Sequence, residues 1–211
     1  GIERWVSGVT DSIAAEIRAP ANMAAALVGS IQRLADVAGE PLRAISLYGT
    51  LFDAGSSSPA VPATTPTRRR QASSTSALHA AVQRGAVIEA CRATSQADYP
   101  ARDDAIAVRA KLMSALDDQM EAVDPVTGAP ASDDVYQALA ALRAAVAEDL
   151  RVRGARLPEV GNVTFGATLP ALVVAYRVHG NAARDSEIVD RNRIRHPGFV
   201  PGGRALEVLN G

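Results

Sequence analysis

Apolar residues recur at helical spacing through most of the chain. Over residues 2–18, Ile2, Trp5, Val6, Val9, Ile13 and Ile17 fall on one stripe of a helix. Ala19-Pro20 stops it, because the residue before a proline avoids the α region. The pattern resumes over residues 21–38 with Met23, Leu27, Ile31, Leu34 and Val37, and Gly39 stands where a C′ glycine ends a helix. Pro41 opens a third, short helix through Phe52, with Leu42, Ile45, Leu47, Leu51 and Phe52 as its apolar set. Together these predict a helical segment over residues 1–52.

The periodicity then fails. Residues 53–76 read DAGSSSPAVPATTPTRRRQASSTS, a run of Ser, Thr, Pro, Ala and Gly with too little apolar surface to offset its ordering entropy. It is expected to be a linker or long mobile loop. Arg68, Arg69 and Arg70 within it read either as a phosphate-binding arm or as a solvated charge run. The second reading is favoured because no aromatic residues interleave them.

Helical spacing returns over residues 77–157. Ser76 is placed as the cap of a helix running to about Gln96, with Leu78, Val82, Val87, Ile88 and Cys91 inward. Asp98-Tyr99-Pro100 breaks it. A helix from about Ala101 to Val123 follows, with Ile106, Val108, Leu112, Met113, Leu116 and Met120 as burial candidates. DPVTGAPASDD reads as a turn, with Ser132 capping a helix from Asp133 to Arg151 whose stripe is Val135, Leu139, Leu142, Val146 and Leu150. Its acids fall in the first turn and Arg151 and Arg153 at the end, as the helix dipole favours.

The region 158–211 differs again. After a break over 154–162, Val163-Thr164-Phe165 reads as a short strand. Thr168 is placed as the cap of a helix from Leu169 to His179, which Gly180-Asn181 ends. A short polar helix from Asp185 follows, with Asn192 and Arg193 at its end. A loop rich in Pro and Gly then leads to an apolar strand, Ala205 to Leu209. The expected class is mainly α: an Ala-rich helical bundle followed by a small β-α-α-β module.

Composition narrows the function. Of 211 residues, 47% are hydrophobic but only 4% aromatic, which suits closely packed helices more than a sandwich. The formal net charge of −1 gives no general attraction to nucleic acid or anionic membrane. No apolar run approaches the ~20 residues that span a bilayer. The chain opens on Gly1 without an initiator Met and is expected to be the C-terminal piece of a longer protein.

Candidate chemistry is sparse. Cys91, the single cysteine, is expected to be a small packed hydrophobe rather than a reactive thiol. His79, His179 and His196 lie apart, with no ligand spacing such as HxxxH or CxxC, so no metal and no cofactor are assigned. The acid pairs Asp103-Asp104, Asp117-Asp118 and Glu148-Asp149 point about 100° apart on a helix and read as solvated faces. There is no phosphate loop, dinucleotide fingerprint or nucleophile elbow, and an enzyme is not expected. What remains is a basic cluster, Arg191, Arg193, Arg195 and His196, with Pro197 holding His196 extended.

The block DSEIVDRNRIRHPGFVPGGRALEVLNG resembles the C-terminal end of the Mu-like phage DNA circularisation (circulation) proteins, tail and baseplate components of contractile phages. The resemblance is strongest over about Thr168 to Leu209. Its order of elements, with Asn at the end of the second helix, is also similar to a LysM-type module with antiparallel strands and both helices on one face. One departure is Gly166-Ala167 where such modules carry Gly-Asp.

The resemblance implies a structural component of the virion tail, at the baseplate hub or tube end, made in the bacterial host cytoplasm. It would dock other tail proteins and copies of itself, and the 53–76 linker would let the first helical unit reposition during assembly. The alternative is a binding module for peptidoglycan or phage DNA. In either case the implied surface comprises Gly166, Ala167, Thr168 and Leu169 on one side, with Asn192, Arg193, Ile194, Arg195, His196, Pro197 and Phe199 on the other. A purely structural reading also stands, with Asn192 capping a helix, the prolines stiffening the loop and Phe199 plugging the small core.

Overall fold

The computed structural model describes residues 21–59, 61–124 and 127–210, with side chains from Gly29 onward in the first helix. The helix expected over residues 2–18 lies outside the described residues, as do the side chains of Met23 and Leu27. Seven α-helices and one antiparallel strand pair make up the described chain: α1 (Ala21–Ala38), α2 (Pro41–Gly49), α3 (Pro66–Thr94), α4 (Arg102–Glu121), α5 (Asp133–Gly154), β1 (Glu159–Thr164), α6 (Ala171–His179), α7 (Asp185–Arg191) and β2 (Ala205–Asn210). The chain forms two compact units. Of the described residues, the first holds those up to Asp98 together with those of Ile106–Arg153, and the second holds Tyr99–Ala105 together with those from Gly154 onward.

In the first unit α1, α2 and α3 pack on one another. Tyr48, which the helical reading left out of its apolar set, is fully buried, and its hydroxyl donates to the Ile31 carbonyl at 3.0 Å. Burial pushes that phenol up to about 12. Val37, expected on the stripe of α1, is instead 81% exposed. The α5 stripe is buried as read, from Val135 through Leu150. On α4, Leu112 and Leu116 are buried but Ile106 is exposed. Asp117 takes both guanidinium arms of Arg143, at 2.7 and 3.0 Å, which ties α4 to α5. That contact holds the Asp117 carboxyl below its ordinary range, so this acid is ion-paired and not simply solvated. Arg153 donates to the carbonyls of Thr94 and Ala97, closing the C-terminal end of α3 where orphan carbonyls need donors.

The expected linker is corrected over its second half. Residues 66–76 are helical, because Thr65 and Pro66 form a helix start: the Thr65 hydroxyl accepts from the Arg68 amide at 3.2 Å and Pro66 occupies the first turn. Ser76, placed as the cap, is inside α3. The Ser/Thr/Pro composition that suggests a linker also supplies these start signals, and Ala and Arg are good helix formers. Residues 66–71 are exposed, so this turn draws little from packing.

The second unit has the β-α-α-β order. β1 and β2 pair antiparallel, with Asn162 opposite Glu207. β1 begins at Glu159, inside the stretch read as a break, because Val160, Gly161 and Asn162 continue the ladder begun by Val163. α6 starts at Ala171 with Pro170 before it in extended geometry, so Thr168 is not its cap. Ala171, Val174, Ala175, Ile188, Val200, Leu206 and Val208 make the core, with Val163, Phe165, Leu169 and Ile194 packed against it.

Candidate functional site

The site is built from two loops, residues 165–170 after β1 and residues 192–204 before β2. They are stitched by backbone bonds. Leu169 and Val200 exchange N–H and C=O at 3.1 and 2.8 Å, Ala171 donates to Pro197 at 2.7 Å, and Gly203 donates to Phe165 at 2.7 Å. Gly202 is needed at this seam, since a Cβ there would fall 2.5 Å from the Ala167 carbonyl carbon. The Thr168 hydroxyl accepts from the Gly202 amide at 3.4 Å. The two loops expected to flank a ligand therefore form one continuous, tightly held surface.

The second loop is anchored at its start by Asn192, a buried amide. Its Nδ2 donates to the Ile188 carbonyl at 3.0 Å and to the Glu207 carbonyl at 2.8 Å, and its Oδ1 accepts from the Glu207 amide at 2.9 Å. Asn192 thus ends α7 and latches it to β2. It faces the interior and is withdrawn from any docking surface. Arg191 is likewise structural: its side chain is largely covered and lies within 4 Å of Asp104 and Glu207. Ile194 and Leu169 belong to the core margin.

What the loop presents outward is Arg193, Arg195, His196, Pro197 and Phe199, with Gly166, Ala167 and Thr168 beside them, all exposed. Phe199 is 74% exposed, which corrects the reading of it as a core plug. Val200, the next residue, fills that place because strand-like geometry at the Leu169–Val200 bridge turns alternate side chains in and out.

Arg193 carries a signal that the residue pattern hides. The end of α7 is a Schellman motif, with Ile194 N–H reaching the Val189 carbonyl at 2.9 Å and Arg193 N–H the Asp190 carbonyl at 3.3 Å. Its C′ position is left-handed, at φ 51° for Arg193, where glycine is usual. Among the described residues Arg193 is the non-glycine residue with positive φ. Arginine there costs about 1 kcal/mol relative to glycine, and strained non-glycine positions concentrate at functional sites.

Leu172 and Tyr176 add exposed apolar area on α6. Ala171, Val174, Ala175 and Val178 already form a complete inward stripe on this nine-residue helix. The surplus apolar residues were readable as an outer face from that spacing alone.

His179 and Glu187 lie at the far end of the module. The His179 side chain is 4% exposed, with Nε2 3.6 Å from Glu187 Oε1. Burial, helped by Arg184 and opposed by Glu187, lowers its pKa. Glu187 also accepts from Arg184 and from the Leu209 amide. At 3.6 Å the His179 Nε2 is beyond hydrogen-bond reach of Glu187, and it is the Leu209 amide bond to Glu187 that ties α7 to β2 here. In the first unit Cys91 is fully buried and its thiol is pushed up to about 12, as suits a packed hydrophobe. Among the described residues no group of three His, Cys, Asp or Glu side chains could hold a metal ion, and no helix is long and apolar enough to cross a membrane.

Fold and site together define a mainly helical chain with a small β-α-α-β unit that presents a hydrogen-bonded basic and aromatic loop. The chain is similar to the Mu-like prophage FluMu DNA circularization protein of Haemophilus influenzae, at 35% identity over 99 residues. The match covers 47% of this chain and 22% of that protein, so the chain spans about a fifth of that relative's length. This similarity supports the resemblance to the Mu-like DNA circularisation proteins. No family model matches the chain.

Proposed function

We propose that this chain is a structural component of a contractile phage tail, at the baseplate hub or tube end, and that its LysM-like C-terminal unit docks onto another tail protein. The similarity to a Mu-like prophage protein supports a phage-related role. The observation that carries the docking reading is the loop Arg193–Phe199, held by backbone bonds on both sides while its large side chains face solvent. A loop held by backbone bonds loses little entropy on binding, and an exposed aromatic in the same loop as exposed arginines has the make-up of an interface anchor. The absence of any acid between Arg191 and Arg204 favours an acidic partner surface.

That same run of cations supports a second reading, in which the loop binds phage DNA or another anionic polymer. Purified Phe199→Ala, Arg195→Ala and wild-type chains, tested against tail-tube and hub proteins, peptidoglycan and DNA, separate the two. Loss of tail-protein binding in both variants, with melting unchanged, supports docking. Salt-sensitive retention on DNA that depends on Arg195 but not on Phe199 would refute it.

A further inference from the structure

The two outer edges of the β1–β2 pair differ. In antiparallel pairing, alternate residue pairs aim their N–H and C=O either at each other or away from the partner strand. Glu207 aims both away from β1, for both are bound by the Asn192 amide, and the Leu209 N–H goes to Glu187 Oε1 at 3.2 Å. The outer edge of β2 is thereby closed by side chains of α7 and its cap. The register sets Val160, Asn162 and Thr164 opposite Leu209, Glu207 and Ala205. These three residues of β1 must then aim N–H and C=O outward as well. They meet no hydrogen-bond partner among the described residues. No residue of β1 is buried, whereas Leu206, Val208 and Leu209 of β2 are. Within the strand there is no proline, lysine or bulge; its one charge, Glu159, sits at its end, where the C=O of the preceding Pro158 is already taken by the Arg102 N–H at 2.9 Å, so the open stretch is residues 160–164.

We propose that β1 is the contact through which a second copy of this chain adds, strand against antiparallel strand, about a two-fold axis at Asn162. The three outward residues are spaced symmetrically around Asn162. With Val160 facing Thr164 of the copy and Asn162 facing Asn162, every free N–H meets a free C=O, two bonds in each of three facing pairs. A shift of two residues in either direction leaves outward groups unmatched. This self-matching register is what an isologous contact requires. Charge agrees with it: no like charges face each other across the seam, and Glu159 lies outside it, paired with Arg102. A strongly charged foreign strand would find no complementary charge on this neutral edge. One strand pair is smaller than a standard interface, so the association is concentration-dependent.

Sedimentation equilibrium of the full chain, with Asn162→Pro and Asn162→Cys variants, tests the proposal. Proline at 162 removes only an outward N–H and leaves the β1–β2 ladder whole. The expected result is a wild-type dimer, at least tenfold weaker association for Asn162→Pro, and a disulfide-linked dimer of Asn162→Cys under mild oxidation. Facing Cα atoms about 5.5 Å apart lie within disulfide reach, and buried Cys91 does not compete. If the proline variant fails to fold, the cysteine variant decides alone. A chain that stays monomeric and forms no cross-link, or a dimer that the proline leaves unweakened, overturns it.

Discussion

Replacing Asn192 with alanine should loosen the C-terminal unit more than any other single truncation of a polar side chain there. The amide is 7% exposed and makes three hydrogen bonds, at 2.8, 2.9 and 3.0 Å, two of them to the backbone of Glu207. At a net worth of roughly 0.5–1.5 kcal/mol each, the three come to about 3 kcal/mol. Alanine also strands the Glu207 N–H and C=O, partly relieved where water enters the vacated space, so the expected loss is about 2–4 kcal/mol. That is a large share of the roughly 5–15 kcal/mol that holds a typical domain together. Asn192→Asp should be at least as damaging, since it sets a carboxylate oxygen against the Ile188 and Glu207 carbonyls. Hydrogen exchange at the Glu207 amide reads the effect directly, because this N–H donates to Asn192 Oδ1. Exchange should quicken by roughly 100-fold, the rate equivalent of about 3 kcal/mol. A change below about threefold would mean that the latch contributes under 1 kcal/mol, and the reasoning would be wrong.

Four further outcomes follow from the same geometry. Gly202→Ala, whose Cβ would sit 2.5 Å from the Ala167 carbonyl carbon, should lower stability by about 1–3 kcal/mol, whereas Gly198→Ala, with no atom within 4 Å, should melt like the wild type. Arg193→Gly should raise stability by up to about 1 kcal/mol by relieving the left-handed arginine, while weakening partner binding; a melting temperature that falls would count against the strain. Because burial lowers the folded-state pKa of His179, its contribution is complete above the ordinary histidine range near pH 6.5 and is lost as pH falls from there toward the lowered value. His179→Gln should remove that slope from a stability-versus-pH series. Cys91, fully buried with its thiol raised to about 12, should resist alkylation in the native chain and react only on unfolding.

Much of the helical architecture was legible because long amphipathic stretches announce themselves. The α5 stripe from Val135 to Leu150 is the clearest example, with every expected residue buried. The sequence pattern failed where two physical signals share the same residues. Thr65-Pro66 is at once a loop-like dipeptide and a cap followed by a first-turn proline, and composition alone cannot rank them. Phe199 and Val200 are adjacent apolar residues in a loop, and only the bridge to Leu169 decides which one turns inward. Asn192 was readable as the residue ending a helix. Its second role, satisfying both backbone groups of Glu207, depends on a contact fifteen residues away that no local pattern encodes. The strain at Arg193 was equally hidden, because the position of the C′ residue is fixed only once the last turn of α7 is known.

In the proposed function the loop from Arg193 to Phe199 is a protein docking surface in an assembled tail. A photo-reactive phenylalanine analogue in place of Phe199, irradiated in intact particles carrying the whole protein, tests it most directly. Cross-links to a tail or hub protein, reduced when Arg193 and Arg195 are also replaced by alanine, are the predicted result. Cross-links to DNA or peptidoglycan, or a residue 199 that joins to nothing in particles that assemble normally, would rule out protein docking by this loop.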